Sequence, residues 1–157
     1  MSDSTASQNK AAWEYHAYEW RIIHQGTAAG SRGKDNGKPE KSLRYHAGYF
    51  NNVNGKHVAG VCGSDGRRAL ALALLNAGAT VFDISEPQKK YALELAKAAG
   101  VTIGYEIGDF CDTDVAKHGE FNEHYRGVNQ KRPGEFTLIA KNSFSCRQNA
   151  AILFRRI

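Results

Sequence analysis

Long apolar runs are missing from this 157-residue chain. The longest, Ala69–Leu75, falls far short of the roughly 18 residues that a membrane-spanning helix needs. Cysteine is sparse: Cys62, Cys111 and Cys146 form an odd set with no C-x-x-C pair, so reduced thiols are expected rather than a metal clip or disulfide framework. No stretch interleaves basic with aromatic residues as a base-stacking platform does. The start, Met1–Gln8, lacks the basic-then-apolar pattern of a secretory signal, and the expected compartment is the cytosol. His118 and His124 stand six apart in a polar segment with no third spaced ligand, which reads as solvated loop histidines and predicts no metal.

What is present is ordinary for a soluble globular domain: 41% hydrophobic and 24% charged residues, with a mean hydropathy of -0.53. The net charge of +5 is uneven. Residues 1–77 carry 10 basic against 6 acidic groups, residues 78–117 carry 4 against 7, and residues 118–157 carry 7 against 3. A basic tail containing Arg155 and Arg156 permits contact with nucleic acid or another acidic surface, but scattered charge alone is weak support for it.

Along the chain, residues 1–9 are small and polar and are expected to form a disordered tail. Lys10–His24 places Trp13, Tyr18 or Ala17, Trp20, and Ile23 or His24 at helical spacing, which predicts one helix with these aromatics on its packed face. Gly26–Pro39 reads as a loop, and Glu40–Phe50 as a second helix presenting Leu43, Ala47 and Phe50 to one side. Residues 10–50 thus form a helical cover. From residue 55 the period changes. His57–Cys62, Thr80–Ile84 and Val101–Ile107 are strand candidates. Between the first two, Arg67–Ala77 is Ala and Leu almost all round and is followed by Gly78. Between the second and third, Ser85 and Gln88 make a capping box ahead of the stripe Tyr91, Leu95, Ala98, which ends at Gly100. The order βαβαβ predicts an α/β fold of the Rossmann-like kind, a three-layer sandwich with a mostly parallel sheet over residues 55–157. Beyond Asp109 the pattern decays, so 115–157 reads as irregular and the sheet as incomplete; Phe136–Ala140 and Ala151–Phe154 are the remaining edge-strand candidates.

Three features fall on the strands' carboxyl rim. The turn Cys62-Gly63-Ser64-Asp65-Gly66 leads from the first strand into a helix start, where backbone N–H groups and the helix dipole favour an anionic group. Asp83 ends the second strand, 17 residues after Gly66, placed to accept both hydroxyls of a ribose. Asp109 and Phe110 follow the third strand, where a carboxylate and a ring suit the edge and face of adenine. Together they predict an adenosine-bearing ligand. Competing readings stay open: a tight corner alone selects glycine, and Asp83 can instead cap the helix that begins near Ser85.

The stretch HVAGVCGSDGRRALALALLNAGATVFDISEPQKKYALELAKAAGVTIGYEIGDFCD resembles the cofactor motifs of class I S-adenosylmethionine (SAM)-dependent methyltransferases, and AAWEYHAYEWR and SLRYHAGYF resemble the N-terminal helices of small bacterial members. The resemblance spans about residues 10–114 and implies SAM as cofactor. By it, Cys62, Gly63, Ser64 and Gly66 would hold the methionine portion, Asp83 with Ile84 the ribose, and Asp109 with Phe110 the adenine. The family's acid before Gly-x-Gly-x-Gly aligns with Gly60, two of its glycines with Cys62 and Ser64, and the last with Gly66. Its apolar fourth strand aligns with the polar Glu120–Tyr125, so the chain reads as lacking the usual C-terminal half. The implied reaction is transfer of a methyl group to an acceptor, small molecule or macromolecule, that the sequence does not identify. Tyr15, Tyr18, Tyr45 and His46 are acceptor-side candidates, none assigned as a base. The alternatives are a truncated, non-catalytic SAM-binding or basic interaction protein, and an NAD-binding fold in which Gly63 and Gly66 would be the last two glycines of G-x-G-x-x-G but branched Val61 would stand at the first. A Cys62 nucleophile would need an oriented base that spacing does not locate.

Overall fold

The computed structural model describes residues 3–30, 38–43, 50, 52–108, 115–118, 121 and 123–126. Four parallel strands, β1 (His57–Val61), β2 (Gly78–Asp83), β3 (Gly104–Ile107) and β4 (Glu123–Arg126), lie in the order β3-β2-β1-β4. Three of them match the predicted apolar runs closely. Parallel neighbours require crossovers, and the helices supply them: α4 (Arg67–Leu74) between β1 and β2, and α5 (Glu86–Ala99) between β2 and β3. This is the Rossmann-like arrangement that the strand and helix order predicts. The register aligns His57 with Gly78 and Val61 with Phe82, and Thr80 with Gly104 and Asp83 with Ile107.

Alternation along β1 and β2 divides the core into two layers. Val58, Ala79 and Val81 join Ala69–Leu72 of α4 and Tyr91, Ala92, Leu95 and Ala96 of α5. Ala59, Val61 and Phe82 point the other way and meet Phe121. Each fully buried Leu or Val contributes about 1.5–3 kcal/mol of transfer free energy, so the helix-facing layer, with Leu70, Leu72, Leu95, Val58 and Val81 among its least exposed members, carries most of the stabilisation. Helix α5 is delimited as its sequence predicts. Ser85 Oγ accepts the Gln88 N–H at 3.4 Å, and Gly100 ends the helix in the left-handed region at φ 75°.

The N-terminal segment departs from expectation. In place of a tail over 1–9 and one helix over Lys10–His24 there are two helices, α1 (Asp3–Glu14) and α2 (Ala17–Gln25), broken at His16, whose φ of 47° cannot continue an α-helix. Both pack on α5, and the capping contact extends between them, for the Glu86 N–H donates to Glu14 Oε1 at 3.0 Å. The packed face is also rotated from the predicted one. Tyr18, Arg21, Ile22 and Gln25 are partly buried, whereas Trp13, Tyr15, Trp20 and Ile23 are exposed, with Tyr15 against the His16 ring and Trp20 against the His24 ring. The second predicted helix is described as α3 (Pro39–Leu43), packed on α4 through buried Leu43; Tyr45, His46 and Ala47 lie outside the described residues.

The larger correction concerns the described part of residues 115–126. A 3-10 turn, Val115–His118, is followed by β4, which pairs with β1 from Val58↔Glu123 to Val61↔Arg126. The segment read as irregular, and as the missing fourth strand, therefore supplies that strand. Parallel pairing is a backbone property, so the polar sequence Glu-His-Tyr-Arg can adopt it, although it lacks the apolar signature of a central strand. The edge of β1 is covered by 123–126; Phe136–Ala140 and Ala151–Phe154 lie outside the described residues.

Candidate functional site

The chain runs β1, β2, β3 toward one side of the sheet and then crosses to the other side of β1 for β4. The connections thus reverse direction between β1 and β4, and open α/β sheets place their ligand crevice outside the strands' carboxyl ends at such a reversal. The turn after β1, residues 62–66, stands at that point.

Its backbone is unusual for its sequence. Cys62, Ser64 and Gly66 take φ of 53°, 51° and 70°, alternate residues in the left-handed region that glycine tolerates and other residues adopt at a cost of roughly 1–2 kcal/mol. Those are the three positions that the resemblance aligns with glycines, and all three take the left-handed conformation here. The intervening Gly63 is needed for space: a Cβ there would lie 2.6 Å from Val81 Cγ1. At Gly66 a Cβ would lie 2.7 Å from Ala92 Cβ, so this corner is pressed between β2 and α5. The turn is also closed by hydrogen bonds. The Cys62 N–H donates to Phe82 O at 2.8 Å, the Gly66 N–H to Gly63 O at 3.1 Å, and the Tyr105 hydroxyl to Ser64 O at 2.6 Å.

Asp83 joins the turn directly. The Ser64 N–H donates to Asp83 Oδ2 at 2.9 Å and the Ser85 N–H to Asp83 Oδ1 at 3.2 Å. The helix cap belongs to Ser85, so Asp83 is not the capping residue; it is a partly buried carboxylate braced from both sides. Each carboxylate oxygen retains acceptor capacity beyond its one N–H, which suits a diol. Ile84, next to it, is partly buried. The Gly108 N–H donates to Asp83 O at 3.0 Å, which brings the chain after β3 to the same rim; Asp109 and Phe110 themselves lie outside the described residues. Of the predicted set, then, Cys62, Gly63, Ser64, Gly66, Asp83 and Ile84 share one corner.

Sequence reasoning missed Arg21. From α2 its Nη2 donates to Ser64 Oγ at 3.0 Å, its Nε donates to Gln88 Oε1 at 3.2 Å, and its Nη1 lies 3.1 Å from Asp65 Oδ2. Arg67 Nε also lies 3.4 Å from Asp65 Oδ2 and donates to Gln25 Oε1 at 2.9 Å, while Arg67 Nη2 donates to the Tyr91 hydroxyl at 3.2 Å. The available signal was a lone arginine three residues after Tyr18, on the stripe that also holds Ile22 and Gln25.

Tyr18 is not on the rim. Its hydroxyl donates to Glu94 Oε2 at 2.7 Å, eight residues into α5, and Lys90 Nζ sits 4.1 Å from its ring centroid. The bond to Glu94, followed by burial, holds the Tyr18 hydroxyl above the ordinary tyrosine range. Among the described residues there is no group of three or more His, Cys, Asp or Glu side chains disposed to hold a metal ion, and no helix long and apolar enough to cross a membrane.

No protein-family model and no curated protein matches the sequence. Solved structures do match. Two are of magnesium protoporphyrin IX methyltransferase from Synechocystis PCC 6803. The form with bound S-adenosylhomocysteine (SAH) is 16% identical with TM-score 0.63 over 95% of this chain and 68% of that one; the form with bound SAM is 17% identical with TM-score 0.63 over 95% and 72%. A third is Haemonchus contortus phosphoethanolamine N-methyltransferase 1, in complex with phosphoethanolamine and SAH, at 14% identity and TM-score 0.61 over 99% of this chain and 31% of that one. The chain has the Rossmann-like fold of class I SAM-dependent methyltransferases.

Proposed function

We propose that the chain binds SAM on the rim formed by residues 62–66 and Asp83, and transfers its methyl group to an acceptor. The observation that carries this reading is the junction of the turn with the acid: a left-handed Ser64 donates its N–H to Asp83 at 2.9 Å, so the two elements that would hold the methionine portion and the ribose are one hydrogen-bonded unit.

The residues fit the cofactor. Asp83 offers remaining lone pairs to a diol, while its two N–H donors hold it oriented. Gly63 and Gly66 bring the corner's backbone close without side chains in the way. Asp109 and Phe110 follow Gly108, which is tied to Asp83 O at 3.0 Å, and are proposed for the adenine. The cofactor supplies an electrophilic methyl on a sulfonium. The protein's part in such a displacement is to align donor and acceptor and to exclude water, and no basic side chain is assigned to it. The strand order supports the reading as well, because it puts the turn at the reversal between β1 and β4.

Calorimetry with SAM, SAH and NADH on wild type and Asp83→Asn tests it. The substitution keeps the side chain's shape and removes its charge. Saturable binding of SAM and SAH, weakened roughly tenfold or more in the variant, is expected from the loss of a charge-assisted hydrogen bond. Binding of NADH alone, or equal heats for both proteins, overturns the assignment.

A further inference from the structure

The face of the sheet turned away from α4 and α5 carries one unfinished contact. Phe82 of β2 and Glu106 of β3 are register partners and stand side by side on that face. The 3-10 turn Val115–His118 lies against both. The His118 ring meets Phe82 edge-on, with centroids 5.4 Å apart at 88°, and the turn's last two residues share the Glu106 carboxylate, one oxygen each. Lys117 Nζ donates to Oε2 at 3.4 Å. His118 Nε2 stands at the same distance from Oε1, shut off from solvent, yet makes no hydrogen bond. Buried polar atoms are nearly always partnered, so an orphan beside a carboxylate calls for a reason. Among the described residues, the charged groups facing the ring are Glu106 from β3 and Lys117 from the turn itself, while β2 presents Phe82. Phe121, ahead of β4, packs on Phe82 and stacks on His57 of β1, which adds one further titratable ring to this layer.

Charge state supplies the reason. A neutral imidazole has a single N–H, and with that proton on Nδ1 the Nε2 lone pair faces an anion. An imidazolium donates from both nitrogens, which turns the same contact into a charge-assisted hydrogen bond. We propose that His118 is a protonation-dependent clamp on Glu106, tight when the ring is cationic and slack when it is neutral. What the clamp holds follows from the chain. The Gly108 N–H is tied to Asp83 O at 3.0 Å, and residues 117 and 118 are tied back to β3, so residues 109–114 run between two tethers. On the cofactor reading above, on which this step rests, Asp109 and Phe110 meet the adenine from between them. His118 is therefore a positioning residue, acting through the chain and not on the ligand. Its protonated form holds the adenine end more firmly, so affinity for the nucleoside rises as pH falls through the histidine range.

Urea unfolding without ligand and SAH calorimetry, each at about pH 8 and about pH 5.5, on wild type, His118→Gln and Glu106→Gln test the clamp. Glutamine at either position keeps a polar side chain and removes one charge of the pair. Both variants retain His57, so its titration cancels in the comparison. Wild type is expected to bind SAH roughly five times more tightly at the lower pH, and each variant to bind it equally at the two within about twofold. In the melts, the stability advantage of wild type over His118→Gln is expected to widen as pH falls. An advantage of the same size at both pH values overturns the clamp. A widening advantage with pH-independent SAH affinity overturns its link to the nucleoside while leaving the cofactor reading standing. A wild type that binds no SAH at either pH overturns that reading and the link together, and the melts then decide the clamp alone.

Discussion

At the residue scale, the turn 62–66 shows where glycine is required and where its conformation is merely borrowed. Gly66 combines φ 70° with a Cβ position 2.7 Å from Ala92 Cβ, so Gly66→Ala must pay for both the backbone and a displaced helix. A loss of about 3 kcal/mol is expected in urea unfolding. Cys62 is exposed and holds φ 53° without such crowding on its account, and Cys62→Gly is expected to gain about 1 kcal/mol by relieving it. A stabilising Gly66→Ala would contradict the described corner. Asp83 and the glycines were legible because tight corners and strand-end acids leave fixed spacings. Arg21 was not, since its role depends on how two helices settle against a distant turn, and no local period encodes that.

At the scale of elements, α2 is tied to α5 by the Arg21–Gln88 hydrogen bond and by the Tyr18 hydroxyl. Tyr18 donates to Glu94, and that bond raises the tyrosine's proton affinity above its unfolded value. A raised folded pKa means that the contribution is intact below about pH 10 and is lost as pH rises through the folded value. Tyr18→Phe is therefore expected to be about 1 kcal/mol less stable than wild type near neutrality, with the gap closing above pH 10 in urea melts taken from pH 7 to 11. A gap constant to pH 11 would refute it. Strands β1, β2 and β3 and helices α4 and α5 could be read from the sequence because each buries an apolar face with its own period. Strand β4 could not: Glu123–Arg126 pairs through its backbone, and backbone pairing writes nothing into side-chain polarity. The break at His16 was likewise hidden, because a single left-handed residue leaves the spacing of Trp13, Tyr18 and Trp20 looking continuous.

For the whole molecule, burial grades from the sheet outward. Val58, Ala59 and Val81 have 0% exposure, as do Ala69–Leu72, whereas residues 7–9 and 11–13 of α1 are exposed. Hydrogen exchange is expected to follow that gradient, with β1 and β2 amides exchanging only by global unfolding and those of α1 by local fraying many orders faster. Protection of α1 equal to that of β1 would show instead that the helical cover and the sheet open as one unit. The overall class was legible from the alternation of strand and helix patterns; the docking of the N-terminal helices was not, because it rests on Tyr18–Glu94, Arg21–Ser64 and Glu14–Glu86, pairs 43 to 76 residues apart.

Strand β1 is flanked on both sides, by β2 and by β4, and the turn 62–66 leaves directly from its end. The corner therefore inherits the stiffness of the sheet's interior, as a bracket bolted to the middle of a beam moves less than one hung at its end.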